Sequence, residues 1–172
     1  MSEAIKERDV IFERVSVRKY EEREVEEEKI EMILRAAMAA PSAGNQQPWE
    51  FIVVRNKETI EKLSGCSAHA KCASGAPVVL VPCLKKEGIR YPELGEIDLA
   101  IATENILLEI VQQGLGGVWL ALAPYEERYG KADEILGIGE KISSFALVAL
   151  GYPAEGHPQI DRYDADRIHY RD

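Results

Sequence analysis

The stretch that most constrains the fold is Glu96–Gln113. Its apolar residues (Ile97, Leu99, Ala100, Ile101, Ala102, Ile106, Leu107, Leu108, Ile110 and Val111) surround most of a helix axis. A narrow polar stripe runs through Asp98, Asn105, Glu109 and Gln112, at spacings of 7, 4 and 3. A helix apolar nearly all round is buried in a core or against a partner chain. The chain has 172 residues, enough for one domain at roughly 100–200 residues each but too few to wrap such a helix. The expectation is a single domain over 1–172 with this helix at a homodimer interface.

The rest of the chain alternates helical and strand patterns. Ile30, Ile33, Leu34, Ala37 and Met38 form one helical face. The glutamate-rich Glu21–Glu28 ahead of it suits a solvated helix start at the positive end of the dipole. Trp49–Val54 reads as a strand, Lys57–Leu63 as a short helix and Pro77–Leu84 as a buried strand. Pro82 within that last run predicts a bulge or an edge position, because proline cannot donate to a ladder. Gly114–Gly117 stops the long helix. A strand-like Val118–Ala121, a helix over Tyr125–Leu136 and a buried strand over Ser143–Leu150 follow. Without a clean βαβ alternation, the order predicts an α+β fold or a mixed-sheet sandwich. The tail Gln159–Asp172 mixes charge with Tyr163, Ile168 and Tyr170, so it is expected to dock rather than hang free.

Composition excludes several classes. With 21 basic and 30 acidic residues the net charge is −9, which argues against nucleic acid or an anionic membrane as the main partner. No apolar run approaches the ~20 residues of a membrane span. Met1–Val10 is too charged for a signal-peptide core. Three cysteines do not suggest a disulfide framework, and a reducing cytoplasm is the expected address. Gly114-Leu115-Gly116-Gly117 begins like a dinucleotide fingerprint, but Trp119 stands where the third glycine is needed. Cys66-x-x-His69-x-x-Cys72 offers three ligand types without a clear fourth, so no metal site is expected. His157, between Gly156 and Pro158, is expected in an exposed turn.

Two segments carry chemistry. In Arg14-Val15-Ser16-Val17-Arg18-Lys19-Tyr20 an extended chain puts Arg14, Ser16 and Arg18 on one side. Guanidinium forks and a hydroxyl match phosphate oxygens; the plainer alternative is a solvated edge strand. In Pro41-Ser42-Ala43-Gly44-Asn45-Gln46-Gln47-Pro48 small residues permit close backbone approach to a flat ligand, and the amides offer donors and acceptors. The plainer alternative there is a helix C-terminal loop satisfying its own backbone.

Together these segments resemble the nitroreductase family of FMN-dependent flavoproteins. The resemblance continues through Ala76–Val81, Asp98–Glu109, Gly114–Trp119, Leu150–Pro153 and Arg162–Tyr170. It implies a mixed, mostly antiparallel sheet flanked by helices, in an interlocked homodimer with two FMN sites shared between chains. By matching positions, Arg14 and Ser16 hold the FMN phosphate and ribityl end, joined by Arg162, while Arg18 approaches the pyrimidine edge. Ser42, Ala43 and Asn45, with Pro41 nearby, come from the opposite subunit. The backbone of Trp119, Leu120 and Ala121 faces the flavin edge, and Lys71 or His69 assists at the ring. Val15 stands where the family often has arginine or histidine, so one polar flavin contact is either missing or made by backbone. The segment Lys85–Glu96 is short where larger members carry a helical insert. The implied activity is ping-pong hydride transfer from NAD(P)H, through flavin N5, to a small electron-poor acceptor such as a nitroaromatic or quinone. No side-chain catalyst is required beyond Arg18 as a charge stabiliser. The alternatives are an FMN-binding storage, sensor or partner-docking module, and a fold that binds no flavin.

Overall fold

The computed structural model describes residues 9–156 and 158–171. The leader expectation rests almost wholly on residues outside these, and His157 also lies outside them. In chain order the elements are α1 (Val10–Glu13), α2 (Glu27–Met38), β1 (Trp49–Val54), α3 (Lys57–Ser64), β2 (Val78–Lys85), α4 (Gly95–Gln112), β3 (Gly116–Ala121), α5 (Glu126–Leu136), β4 (Ile142–Ser144) and β5 (Ala146–Gly151). The sheet runs β1-β2-β5-β3, with β4 also on β2. Every pairing of these strands is antiparallel. The expected α+β architecture, a mostly antiparallel sheet flanked by helices, is what forms.

Helices cover both faces of the sheet, which is why its central strands are apolar without alternation. Along β2, Val79, Val81 and Cys83 pack with Ile60 and Leu63 of α3 and Leu122. Val78 and Leu80 point the other way, onto Ile30 and Ile33 of α2 and Ile106 and Ile110 of α4. Each fully buried Ile or Leu contributes about 1.5–3 kcal/mol of transfer free energy. Ile110→Ala would cost about 2–5 kcal/mol, because Ile110 is fully enclosed and lies against the α-carbon of Gly117.

Pro82 sits at a bulge inside the sheet, not at an edge. Leu80 pairs with Val148, and Cys83 with Ser144. Three steps along β2 therefore match four along the other chain segment, and the extra residue breaks the expected Ser143–Leu150 strand into β4 and β5. The Pro82 carbonyl accepts from Phe145 N–H at 2.8 Å, so the missing proline N–H falls at the break.

Three further expectations shift. Helix α2 begins only at Glu27; Glu21–Glu26 leads in without helical structure, with Val25 buried. Met38, on its expected apolar face, is exposed at the last turn. On α4 the polar stripe is not the solvent face. Asp98 is only 3% exposed, and Asn105 donates from Nδ2 to the Ala36 carbonyl at 3.0 Å. The outward residues include the apolar Ile97 (57% exposed) and Ile101 (38% exposed) beside Glu96, Glu104 and Gln112. Beside them lies α1, a single turn unpredicted from sequence, with Phe12 68% exposed. Asp98 and Asn105 turn inward because neighbouring backbone groups need partners.

Candidate active site

The Arg14–Arg18 segment is seated on β3. Ser16 makes a parallel bridge to Gly117, and Val17 N–H donates to the Gly117 carbonyl at 3.0 Å. Val17 is buried against Gly116, where a Cβ would lie 2.6 Å from Val17 Cγ2. The paired glycines thus serve close approach of two chain segments rather than a nucleotide turn. The Tyr20 hydroxyl lies 2.7 Å from the Val17 carbonyl and 3.0 Å from that of Ala149. Burial pushes the Tyr20 hydroxyl pKa up, so it remains a donor. Arg14 follows α1 directly, and its Nε lies 3.6 Å from Glu104 Oε1 of α4.

This seating leaves Arg14, Val15, Ser16 and Arg18 along one side of a cavity of about 260 Å³. The other side is the C-terminal tail, through Pro158, Gln159, Ile160 and Arg162. Three arginines and one serine therefore line the cavity, and no acidic residue is among the described residues lining it. Such a donor set fits a phosphate or another compact anion. The volume is below the roughly 300–1,000 Å³ that encloses a drug-sized ligand, so the cavity fits one end of a mononucleotide. Gln159 and Ile160 were missed in sequence, where only the arginine of the tail stood out.

Pro41, Ser42, Ala43 and Asn45 lie elsewhere, in a loop that none of them shares with the cavity. Ser42 Oγ accepts from Gln47 N–H at 3.0 Å. Gly44, Asn45 and Gln47 all have left-handed backbone, with φ of 54°, 55° and 47°. Asp98 holds this loop to α4: its Oδ1 accepts from Ala43 N–H at 3.0 Å and its Oδ2 from Gln46 Nε2 at 2.7 Å. Gln46 also accepts from Tyr91 N–H at 2.8 Å and donates to the Tyr91 carbonyl at 3.1 Å. Asp98 and Gln46 were missed as site residues. A lone acid near the start of an apolar helix was the available signal.

Trp119, Leu120 and Ala121 pair with β5 through Val148, Leu147 and Ala146. Beyond the Gly117 bridge, no described strand pairs with the other edge of β3. Trp119 meets Phe145 edge-on, with ring centroids 5.6 Å apart. Lys71 opens a 3₁₀ turn over Lys71–Gly75 and is exposed, as is His69. Neither lines the arginine cavity, though the adjoining Cys72 packs toward Tyr20. Burial pushes up the Cys66 thiol and holds Cys83 at about 12, so neither is a ready thiolate. Among the described residues no group of three His, Cys, Asp or Glu is placed to hold a metal, and no helix is long and apolar enough to cross a membrane.

Known proteins share the sequence pattern and the fold of this chain. The profile of the Nitroreductase family matches residues 11–70, which carry the arginine segment and the left-handed loop. A relative from Archaeoglobus fulgidus, provisionally named NADH dehydrogenase/NAD(P)H nitroreductase, is 43% identical over 98% of each chain. The crystal structure of a provisionally named NADH oxidase from Clostridium acetobutylicum superposes with a TM-score of 0.92 at 46% identity, over 95% of this chain and 99% of that one. A provisionally named nitroreductase from Desulfovibrio desulfuricans, crystallised in complex with FMN, superposes with a TM-score of 0.83 at 27% identity, over 97% and 99% of the two chains. With identity of this order across nearly the full length of both partners, the chain belongs to the nitroreductase family.

Proposed function

We propose that this protein is an FMN-dependent NAD(P)H oxidoreductase that passes reducing equivalents to a small electron-poor acceptor by a ping-pong route. The observation that carries the reading is the cavity lined by Arg14, Ser16, Arg18 and Arg162. Its donors fit the FMN phosphate, and the family relatives include an FMN complex. When bound, FMN supplies the hydride chemistry at its N5.

The chain's own residues have binding and electrostatic work. Arg14 and Arg162 hold phosphate oxygens with Ser16, using charge-assisted hydrogen bonds. Val15 contributes through its backbone. Arg18 brings positive charge toward the pyrimidine edge, where reduction of the ring builds negative charge. The open edge of β3 at Trp119, Leu120 and Ala121 offers backbone groups to the ring, and Lys71 adds a cation from the turn before β2. Because one chain encloses only part of a mononucleotide, Ser42, Ala43 and Asn45, beside Pro41, complete the site of a second copy. The exposed apolar residues Ile11 and Phe12 of α1 and Ile97 and Ile101 of α4 support a homodimer. Ping-pong turnover follows from one open face serving donor and acceptor in turn.

The test is spectroscopic. The purified protein is loaded with FMN, freed of excess, and given NADH or NADPH without oxygen. Bleaching of one flavin equivalent per chain is expected, with recovery on adding a quinone or nitroaromatic. Retained flavin that does not bleach would make the protein an FMN-binding module without NAD(P)H turnover. Failure to retain FMN would end the reading.

A further inference from the structure

We infer that Asp98 and Gln46 are positioning residues that lock the Ser42–Gln47 loop into its binding shape and latch the short segment after β2 onto it. The inference rests on the proposed function, because the loop's task is taken to be contact with the flavin.

Three residues of this loop, Gly44, Asn45 and Gln47, hold left-handed φ. For Asn45 and Gln47 that conformation costs free energy, so it persists only where the surroundings over-determine it. Asp98 supplies the constraint. Its carboxylate is 3% exposed and uses one oxygen for the loop's backbone, at Ala43 N–H, and the other for the loop's side chain, at Gln46 Nε2. Gln46 then grips both backbone groups of Tyr91, so its amide orientation is fixed. The Tyr91 ring lies on Gly44, where a Cβ would sit 2.8 Å from Tyr91 Cε2. The run between β2 and α4 is therefore tied to the loop. A loop held in its competent shape binds with its intrinsic affinity. A loop competent only a tenth of the time binds about tenfold more weakly.

The geometry also says which changes break the latch. In Asp98→Asn one carboxylate oxygen becomes an N–H donor facing another donor. Gln46 cannot turn over to accept it without losing Tyr91. Gln46→Ala removes the same link with a smaller disturbance of α4. The full chain and both variants would be titrated with FMN, following the quenching of flavin fluorescence, with far-ultraviolet circular dichroism checking the fold. The expected result is native dichroism, an FMN Kd raised about tenfold or more, and turnover restored by excess FMN. Folded variants that bind FMN as tightly as the parent would overturn the latch alone. Loss of native dichroism in Gln46→Ala would also overturn it, in favour of a purely structural role. A parent protein that binds no FMN would overturn the proposed function and this inference with it.

Discussion

The two walls of the arginine cavity are held in different ways. Arg14–Arg18 belongs to the fold: Val17 is buried on Gly116, its N–H is bonded to Gly117, and the Tyr20 hydroxyl ties the turn to β5. The tail that brings Arg162 is exposed at every described residue from Pro158 to Arg171. Its bonds are local, such as Asp164 with Asp166 and Arg167. The boundary between the two regimes follows Glu155, which pairs with Lys19; one anchor ahead of it is Tyr152. Its hydroxyl donates to Glu26, its ring lies under Arg23 at 3.6 Å, and its carbonyl accepts from Glu21 N–H. One half of the anion site is thus pre-formed, while the other half depends on what the tail meets. Among the described residues no hydrogen bond or ion pair joins the tail to the rest of its own chain, which is the reason to look to a second copy.

The strongest way to break the contrast is Gly116→Ala. The new methyl group would displace Val17 and lift Ser16 and Arg18 from β3. We expect loss of FMN retention and a destabilisation of about 1–3 kcal/mol from overpacking, read by flavin absorbance and urea denaturation. Arg14→Ala tests the fixed wall without unseating it. FMN affinity should fall about 10- to 100-fold, the loss of a strong charge-assisted bond, with little change in stability. Arg162→Ala tests the exposed wall. Its loss should be smaller, about three- to tenfold, because exposed charges are more strongly screened, and it should shrink further at high salt.

The smallest effect concerns the Tyr152 anchor. The Tyr152 hydroxyl bond, with Arg23 and Lys29 nearby, holds the Glu26 carboxylate down to about 2 from 4.5. A folded pKa below the unfolded one gives stability that is present above about pH 4.5 and lost as pH falls toward about 2. Glu26→Gln should flatten that part of the pH–stability curve, measured by thermal melts across the window, and leave neutral FMN binding unchanged.

What was legible in the sequence follows the range of the interactions. The buried strands and α4 could be read because their signal lies in consecutive residues, and both sheet faces are covered. Pro82 told of a bulge or an edge, because a missing N–H must fall somewhere, and only the register decided for the bulge. The pairing of Ser16 with Gly117 leaves no local trace. Gly116 and Gly117 therefore looked like a failed nucleotide fingerprint instead of a seat for Val17. Asp98 read as one member of a polar stripe, since periodicity reports a face and not which backbone groups that face must satisfy. The phosphate-like donor set was visible as Arg14, Ser16, Arg18 and Arg162, but their place along one cavity needed the path of the tail.

Under the proposed function, one chain builds half a flavin site and a second copy completes it. Light scattering on the FMN-loaded protein, with flavin counted by absorbance, tests this most directly. The prediction is twice the mass of one chain with one FMN per chain. A flavin-loaded species with the mass of a single chain would contradict it.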